Sequence, residues 1–504
     1  MKSESGVIKM NQKALFIIFG GTGDLAYRKL YPALFNLYEK GYLKEDFAVI
    51  GTARRPWSND HYHEVVMSAI EDAGRDSGRT NDDLPRKFAS HFYYQSHNVD
   101  DVDHYVALRK LADELDEKYD LQGNRIFYLA MAPRFFGTIA GHLKDQALLT
   151  KGNGFNRLII EKPFGRDYPS AKELNDSISG SFKEEQIFRI DHYLGKEPIQ
   201  SIAGLRFGNA LFNSLWNKEH IDNIQITLSE SLGVEERAGY YETAGAMRDM
   251  VQNHIMQIVS LLTMERPDVF DSEHLRDKKI EALENIQMYT KEEAKKYFIR
   301  GQYGADEANT QLGYRDEEGT DNQSTVETFV AGKLITHNPS LDGVPVYIRT
   351  GKRLTKKSTQ INIVFKNDDQ NIFAKDASEK LKTNVLTMHI EPDQGFTLEF
   401  NTKTGNQGYN LSPVHLRYRK TATEKAQIPD AYEGLIRDAL MGNKTNFAHW
   451  HEVSQAWKIM DVVREAWDEE EPAFPNYVSG SMGPEAAMQL LADDGRKWVF
   501  NPRS

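Results

Sequence analysis

Residues 191–196, DHYLGK, bring an acid, an imidazole, a phenol and an ammonium together within six positions. Such a set can orient or exchange a proton, and it can surround an anion with donors of different reach. The preceding residues 186–190 read as a short strand, and Pro198 suits the first turn of a helix, where its missing N–H costs nothing. The cluster is therefore expected at a strand end facing a helix start, where clefts form and anions bind. A solvated turn would account for the same residues, so the other motifs must decide.

Four further stretches carry chemistry. In ALFIIFGGTGDLAYRKL (14–30) an apolar strand, a glycine turn and an amphipathic helix follow one another, and Gly20, Gly23 and Ala26 take the three small-residue positions of a dinucleotide fingerprint. The two glycines let backbone N–H groups approach a pyrophosphate; a turn used only for tight packing is the plainer alternative. AVIGTARRP ends in Arg54 and Arg55, where an NAD enzyme usually offers an acid to the ribose. Two cations there suit a 2′-phosphate and favour NADP, with Arg55 more readily read as a solvated side chain. RLIIEKPFG (157–165) places Lys162 at the carboxyl end of an apolar strand, either in a cleft or paired with Glu161, and leaves the isomer of Pro163 open. In GYYETAGAMRDMVQNHIMQIVSLL (239–262), α-helical spacing puts Met247, Met250, Val251, His254 and Ile258 on one inward face. His254 then reads by default as a satisfied core histidine. Asp249 would project well round the helix, so a carboxylate that orients the ring must come from elsewhere.

The elements that position these groups change character near residue 200. Between 14 and 190, apolar runs (ALFIIFG, FAVIGT, RIFYLAM, RLIIEKP, QIFRI) alternate with amphipathic segments such as 25–42 and 102–118. That pattern predicts a Rossmann-like doubly wound parallel sheet. Beyond it come helical stretches at 240–263 and 273–298, then strand-like runs (TVETFVAG, VPVYIRT, TQINIVF, NVLTMHIE, GFTLEFN), with turns at 367–369 and 392–395 among them. Helices at 429–442 and 449–467 follow. The expectation is an α/β domain over 13–198, preceded by a disordered dozen residues (1–12), and an α+β domain over 199–504 with a large, mainly antiparallel sheet.

Composition narrows the chemistry. With 504 residues, 40% hydrophobic and 27% charged, the chain can build two or more cores. It contains no cysteine, which excludes disulfides and thiolate metal sites and suits a cytoplasmic location. A net charge of −12 with no basic domain argues against nucleic-acid binding. No apolar run of membrane-spanning length and no signal-peptide core is present, so no membrane partner is expected.

GGTGDLAYRKL, EKPFG, RIDHYLGKE, RDMVQNH and VYIRTGKRL, in this order and at these separations, resemble the glucose-6-phosphate dehydrogenase family from about residue 14 almost to the C-terminus. EKP also occurs in the glucose-fructose oxidoreductase and inositol dehydrogenase superfamily, which would have no use for the 191–196 cluster. The resemblance implies oxidation of glucose 6-phosphate at C1 to the 1,5-lactone, the first step of the oxidative pentose phosphate pathway. NADP is the implied hydride acceptor, NAD a weaker alternative, and no metal is called for. By residue-wise matching, His254 is the general base, Asp191 orients it, and Lys162 touches both substrate and cofactor. His192, Tyr193, Lys196 and Lys357 would hold the 6-phosphate, while Glu230, Asp249 and Lys352 contact the sugar. Gly20, Thr22, Gly23, Lys29 and Arg54 match the cofactor site, with Arg55 beside them. Tyr27 falls where relatives are often basic. A homodimer or dimer of dimers built on the second domain's sheet is also implied.

Overall fold

The computed structural model describes residues 12–74, 83–308, 310–367, 372–373, 381–403, 405 and 411–502. The first eleven residues and most of the turn expected at 367–369 lie outside them. The chain forms two compact units: Met1–Lys196 with Pro429–Trp450, and Glu197–Ile428 with His451–Ser504.

In the first unit six strands, β1 (Ala14–Phe19), β2 (Phe47–Ala53), β3 (Phe92–Ser96), β4 (Arg125–Leu129), β5 (Asn156–Glu161) and β6 (Ile187–Ile190), form one parallel sheet in the order β3-β2-β1-β4-β5-β6. This is the doubly wound dinucleotide-binding order, with its switch point between β1 and β4. β1 is buried at every position because helices cover both faces, which is why its sequence is unbroken ALFIIF rather than alternating. β3, FYYQS, was not among the expected strands: only Phe92 and Tyr94 are buried, so it lacks a continuous apolar run. The helix Ala431–Met441 belongs to this unit, its Leu435, Ile436, Ala439 and Leu440 buried in the same cluster as Phe16, Leu34 and Phe188.

The second unit is built on an eight-stranded sheet. Its strands are β7 (Ile221–Ser229), β8 (Phe298–Gly301), β10 (Phe329–Ile335), β11 (Pro345–Gly351), β12 (Ser358–Phe365), β13 (Val385–Glu391), β14 (Gly395–Lys403) and β15 (Leu411–Arg419), in the order β15-β14-β13-β12-β7-β11-β10-β8. A two-stranded pair, β9 (Tyr303–Gly304) with β16 (Tyr477–Val478), completes the strands. All neighbours in the large sheet are antiparallel except β7 and β11, so the mainly antiparallel expectation holds.

Two helical expectations need correction. The stretch 240–263 is three segments, Ala238–Ala246, Met247–Ile255 and Met256–Thr263, because Gly245 takes φ +63°, ψ 176° and breaks the first. The middle segment is π-wound, closing i to i+5. The stretch 273–298 divides into Ser272–Glu284 and Lys291–Tyr297. Thr290 and Glu293 cap the second helix reciprocally, and the Gln287 N–H donates to the Ile335 carbonyl, which takes the intervening residues out of helical geometry. Among the described residues no helix is long and apolar enough to cross a membrane.

Candidate active site

At the switch point Gly20 has φ +89°, and a Cβ there would lie 2.3 Å from the Ala130 carbonyl oxygen at the end of β4. Only glycine fits both constraints. The Gly20 and Gly21 N–H groups donate to the Thr52 carbonyl at 2.9 and 3.0 Å, and the Gly23 N–H donates to the Gly20 carbonyl at 2.9 Å. Sequence reasoning passed over Gly21, whose Cβ would stand 2.9 Å from the Gly51 Cα. The glycine in FAVIGT was the available sign that two backbones meet there. The cradle leads into helical segments Ala26–Leu30 and Tyr31–Glu39, with Ala26 fully buried, so the third small position is a packing requirement. These features fit a bound dinucleotide: a turn without side chains, at the start of a helix, at the carboxyl edge of a parallel sheet.

Around this cradle the expected cofactor residues differ in their surroundings. Thr22 is half-buried, and Lys29 reaches Asp430 at 3.1 Å. Arg54 is exposed immediately beyond β2, whereas Arg55 lies over the Trp57 ring at 5.6 Å. Tyr27, whose role was open, donates to Asp72 at 2.6 Å.

At the far end of the sheet, β5 delivers Lys162, half-buried, followed by a cis peptide to Pro163. Glu161 accepts a 2.5 Å hydrogen bond from the Tyr128 hydroxyl. Burial pushes Glu161 up to about 7, while the Tyr128 hydroxyl and then Lys162 pull the other way. A carboxyl held above its ordinary 4.5 favours the folded state while protonated, and loses that advantage as pH rises through about 7. The expected result is that wild type loses unfolding free energy relative to Glu161→Gln as pH rises from about 4 to 7.5, by a difference growing to about 3 kcal/mol, with no further change above that. A difference independent of pH would refute this placement of the charge.

β6 delivers the 191–196 turn. Asp191 is buried, 2% exposed, and its Oδ1 accepts from the Tyr193 N–H at 3.0 Å. His192 and Lys196 are half-buried, and the Lys196 ammonium sits 3.8 Å from the centre of the Tyr193 ring. A Cβ on Gly195 would meet the Ala431 carbonyl and Leu435 at 2.9 Å, so the returning helix Ala431–Met441 fixes the path of this turn. Sequence reasoning missed that support.

In the second unit His254 is 1% exposed, within the π-wound segment Met247–Ile255. The i to i+5 closure corrects the α-helical expectation for Asp249: five residues correspond to one π ring, so Asp249 and His254 are successive on the same side of the segment. Asp249 is buried and accepts from the Tyr240 hydroxyl at 3.2 Å and Arg237 at 3.4 Å. Lys352, buried beyond β11, donates to Glu230, beyond β7, at 2.7 Å. Lys357 is exposed.

A glycine cradle at the switch point, cations after β2, a polar turn after β6 and a second unit with a buried imidazole define a dinucleotide-binding oxidoreductase. The family description "Glucose-6-phosphate dehydrogenase, NAD binding domain" matches residues 17–201, and "Glucose-6-phosphate dehydrogenase, C-terminal domain" matches 203–499. The chain is 50% identical to glucose-6-phosphate 1-dehydrogenase of Streptococcus pneumoniae over 98% of each chain. It is 47% identical to that of Bacillus subtilis over 97% of this chain and 99% of the relative. A solved glucose-6-phosphate dehydrogenase in complex with its substrate glucose-6-phosphate superposes with a TM-score of 0.88, at 34% identity, over 97% of this chain and 99% of the other. The chain belongs to the glucose-6-phosphate dehydrogenase family. It is an oxidoreductase of that kind, oxidising glucose 6-phosphate at C1 in the first step of the pentose phosphate pathway, and its first unit is a NAD(P)-binding domain.

Proposed function

We propose that this enzyme takes NADP+ as its hydride acceptor, with His254 as general base and Asp191 as the carboxylate that orients it. The observation that carries the division of labour is how burial sorts the 191–196 turn. Asp191 is buried and accepts from a backbone N–H, as a group that fixes a partner does, and Tyr193 is buried as well, while His192 and Lys196 are only half-buried. His192, Tyr193, Lys196 and Lys357 hold the 6-phosphate; three donors of different length and a lysine from the second unit suit a dianion. Glu230, Asp249 and Lys352 contact the sugar, and Lys162 touches substrate and cofactor. Gly20, Thr22, Gly23 and Lys29 line the cofactor site. Arg54, exposed beyond β2, reads the 2′-phosphate, with Arg55 beside it on Trp57.

NADP+, when bound, supplies the hydride acceptor. The chain's own residues do the rest. Phosphate ligands far from C1 orient the ring, so that the C1 hydroxyl presents its proton to a His254 ring nitrogen in one aligned geometry. A carboxylate on the other nitrogen fixes the tautomer and stabilises the imidazolium that forms. The lack of cysteine suits a cytoplasmic location, and the family resemblance of the sequence implies a homodimer or dimer of dimers.

Absorbance of the reduced cofactor with glucose 6-phosphate, with inositol and with neither sugar tests the reading: only the first should give a signal. Arg54→Ala should raise KM for NADP+ about ten- to a hundredfold, the worth of a charge-assisted contact, and leave NAD+ nearly unchanged. Equal losses with both cofactors would show that the 2′-phosphate is read elsewhere.

A further inference from the structure

Within the second unit, β7 and β11 run parallel, with Ser229 and Gly351 in register at their carboxyl ends. The next residues are Glu230 and Lys352, and the two loops stay laced together. The Glu230 N–H donates to the Gly351 carbonyl at 3.0 Å, the Arg353 N–H to Leu232 at 3.0 Å, and the Leu354 N–H to Glu230 at 2.9 Å. Two residues here adopt left-handed backbone conformations that side chains rarely favour, Arg353 at φ +52° and Glu235 at φ +46°. Such backbone costs on the order of 1–3 kcal/mol per residue and persists only where the surroundings enforce it.

The enforcing group is a carboxylate that no sequence motif announced. Glu317, buried, lies beneath both loops. Its Oε1 accepts from the Tyr303 hydroxyl at 2.7 Å and from Arg353 Nη2 at 3.1 Å, and its Oε2 accepts from the Glu235 N–H at 3.1 Å. The Tyr303 hydroxyl in turn accepts from the Val234 N–H at 3.3 Å. Gly233 rests directly on this ion pair: a Cβ there would be 2.2 Å from Glu317 Oε1 and 2.8 Å from Arg353 Nε. One carboxylate thus holds both strained residues, one in each loop.

We propose that Glu317 is a positioning residue for the sugar phosphate. It clamps the loop after β7 to the loop after β11, so that Glu230 and Lys352 meet the substrate as a preformed pair. This rests on the assignment of Glu230 and Lys352 to the sugar given above. Preorganisation of this kind acts on binding of one substrate and leaves the proton-transfer geometry and the cofactor cradle untouched.

The test compares Glu317→Gln, Lys352→Ala and the double variant by steady-state kinetics on both substrates. Glu317→Gln keeps the shape but removes the charge that Arg353 needs. It should raise KM for glucose 6-phosphate about tenfold, with kcat and KM for NADP+ within about twofold. The double variant should lose less than the product of the single losses, since Glu317 acts through Lys352. Unchanged KM in Glu317→Gln alongside a raised KM in Lys352→Ala overturns the proposal, as does a fully multiplicative double variant. Unchanged KM in Lys352→Ala instead overturns the sugar-site assignment itself. Should Glu317→Gln fail to fold, Arg353→Gly, which keeps the left-handed backbone and removes the guanidinium, carries the same test: KM for the sugar must rise, and an unchanged value overturns the proposal.

Discussion

His254→Asn should lower kcat by at least about 10²-fold, and up to about 10⁴-fold, with KM for glucose 6-phosphate changed only a few-fold. The magnitude is that of general-base catalysis, which asparagine cannot perform because it has no basic nitrogen. The selectivity for kcat follows from how the segment is held. Gly245 turns the chain at φ +63°, where a Cβ would stand 2.4 Å from Glu327 Oε1. That same oxygen accepts from the Met247 N–H at 3.0 Å, and the Glu327 carbonyl accepts from the Ala246 N–H at 2.9 Å. The π-wound segment is therefore anchored at its start by a group independent of the imidazole. Asparagine is smaller than histidine but polar, so the buried position keeps a hydrogen-bonding side chain and the sugar contacts proposed for Asp249 keep their scaffold. Initial-rate measurements at saturating cofactor decide the matter. A kcat equal to wild type would remove His254 from the mechanism, whereas a loss confined to KM would make it a binding residue.

The first unit was legible because its physics is local. β1, β2, β4, β5 and β6 are buried on both faces, so each shows as an apolar run, and the glycine turn between β1 and its helix follows from the strain at Gly20. β7 differs: in IDNIQITLS, Asn223, Gln225 and Thr227 alternate with Ile224, Ile226 and Leu228, a strand period that was passed over and that promises one solvated face, yet all six are buried. The covering chain comes from the C-terminus: Gln225 donates to the Lys497 carbonyl at 3.0 Å and accepts from the Val499 N–H at 2.8 Å. No local pattern can foretell a cover some 270 residues away. The same holds for the helix Ala431–Met441, whose apolar face is plain in sequence while its partner, the first unit, is not. At the site, residue identities in the 191–196 turn were readable. The π winding around His254 and the Glu317 support were not, since both depend on contacts made in three dimensions by groups without a motif of their own.

Lys279→Met should destabilise the second unit by about 3–5 kcal/mol. Lys279, on the helix Ser272–Glu284, meets Glu452, on the helix Trp450–Asp468, at 2.8 Å, with side chains 2% and 0% exposed. Among the described residues neither oxygen of the Glu452 carboxylate has a hydrogen-bond partner of good geometry, so the ion pair with Lys279 supplies its compensation. Methionine matches the lysine stem in length and apolar character, which leaves packing nearly unchanged and isolates the charge. What remains is an unpaired carboxylate in a dry interior, and the large cost comes from that group rather than from the lost attraction. If the cost lies in the stranded charge, adding Glu452→Leu to Lys279→Met should return most of the stability, because a buried pair replaced by apolar groups of similar volume is close to neutral. Urea denaturation followed by tryptophan fluorescence, with Trp457 fully buried on the same helix as Glu452, reads the transition of this unit. A double variant no more stable than Lys279→Met would place the loss in packing between the two helices and not in the charge.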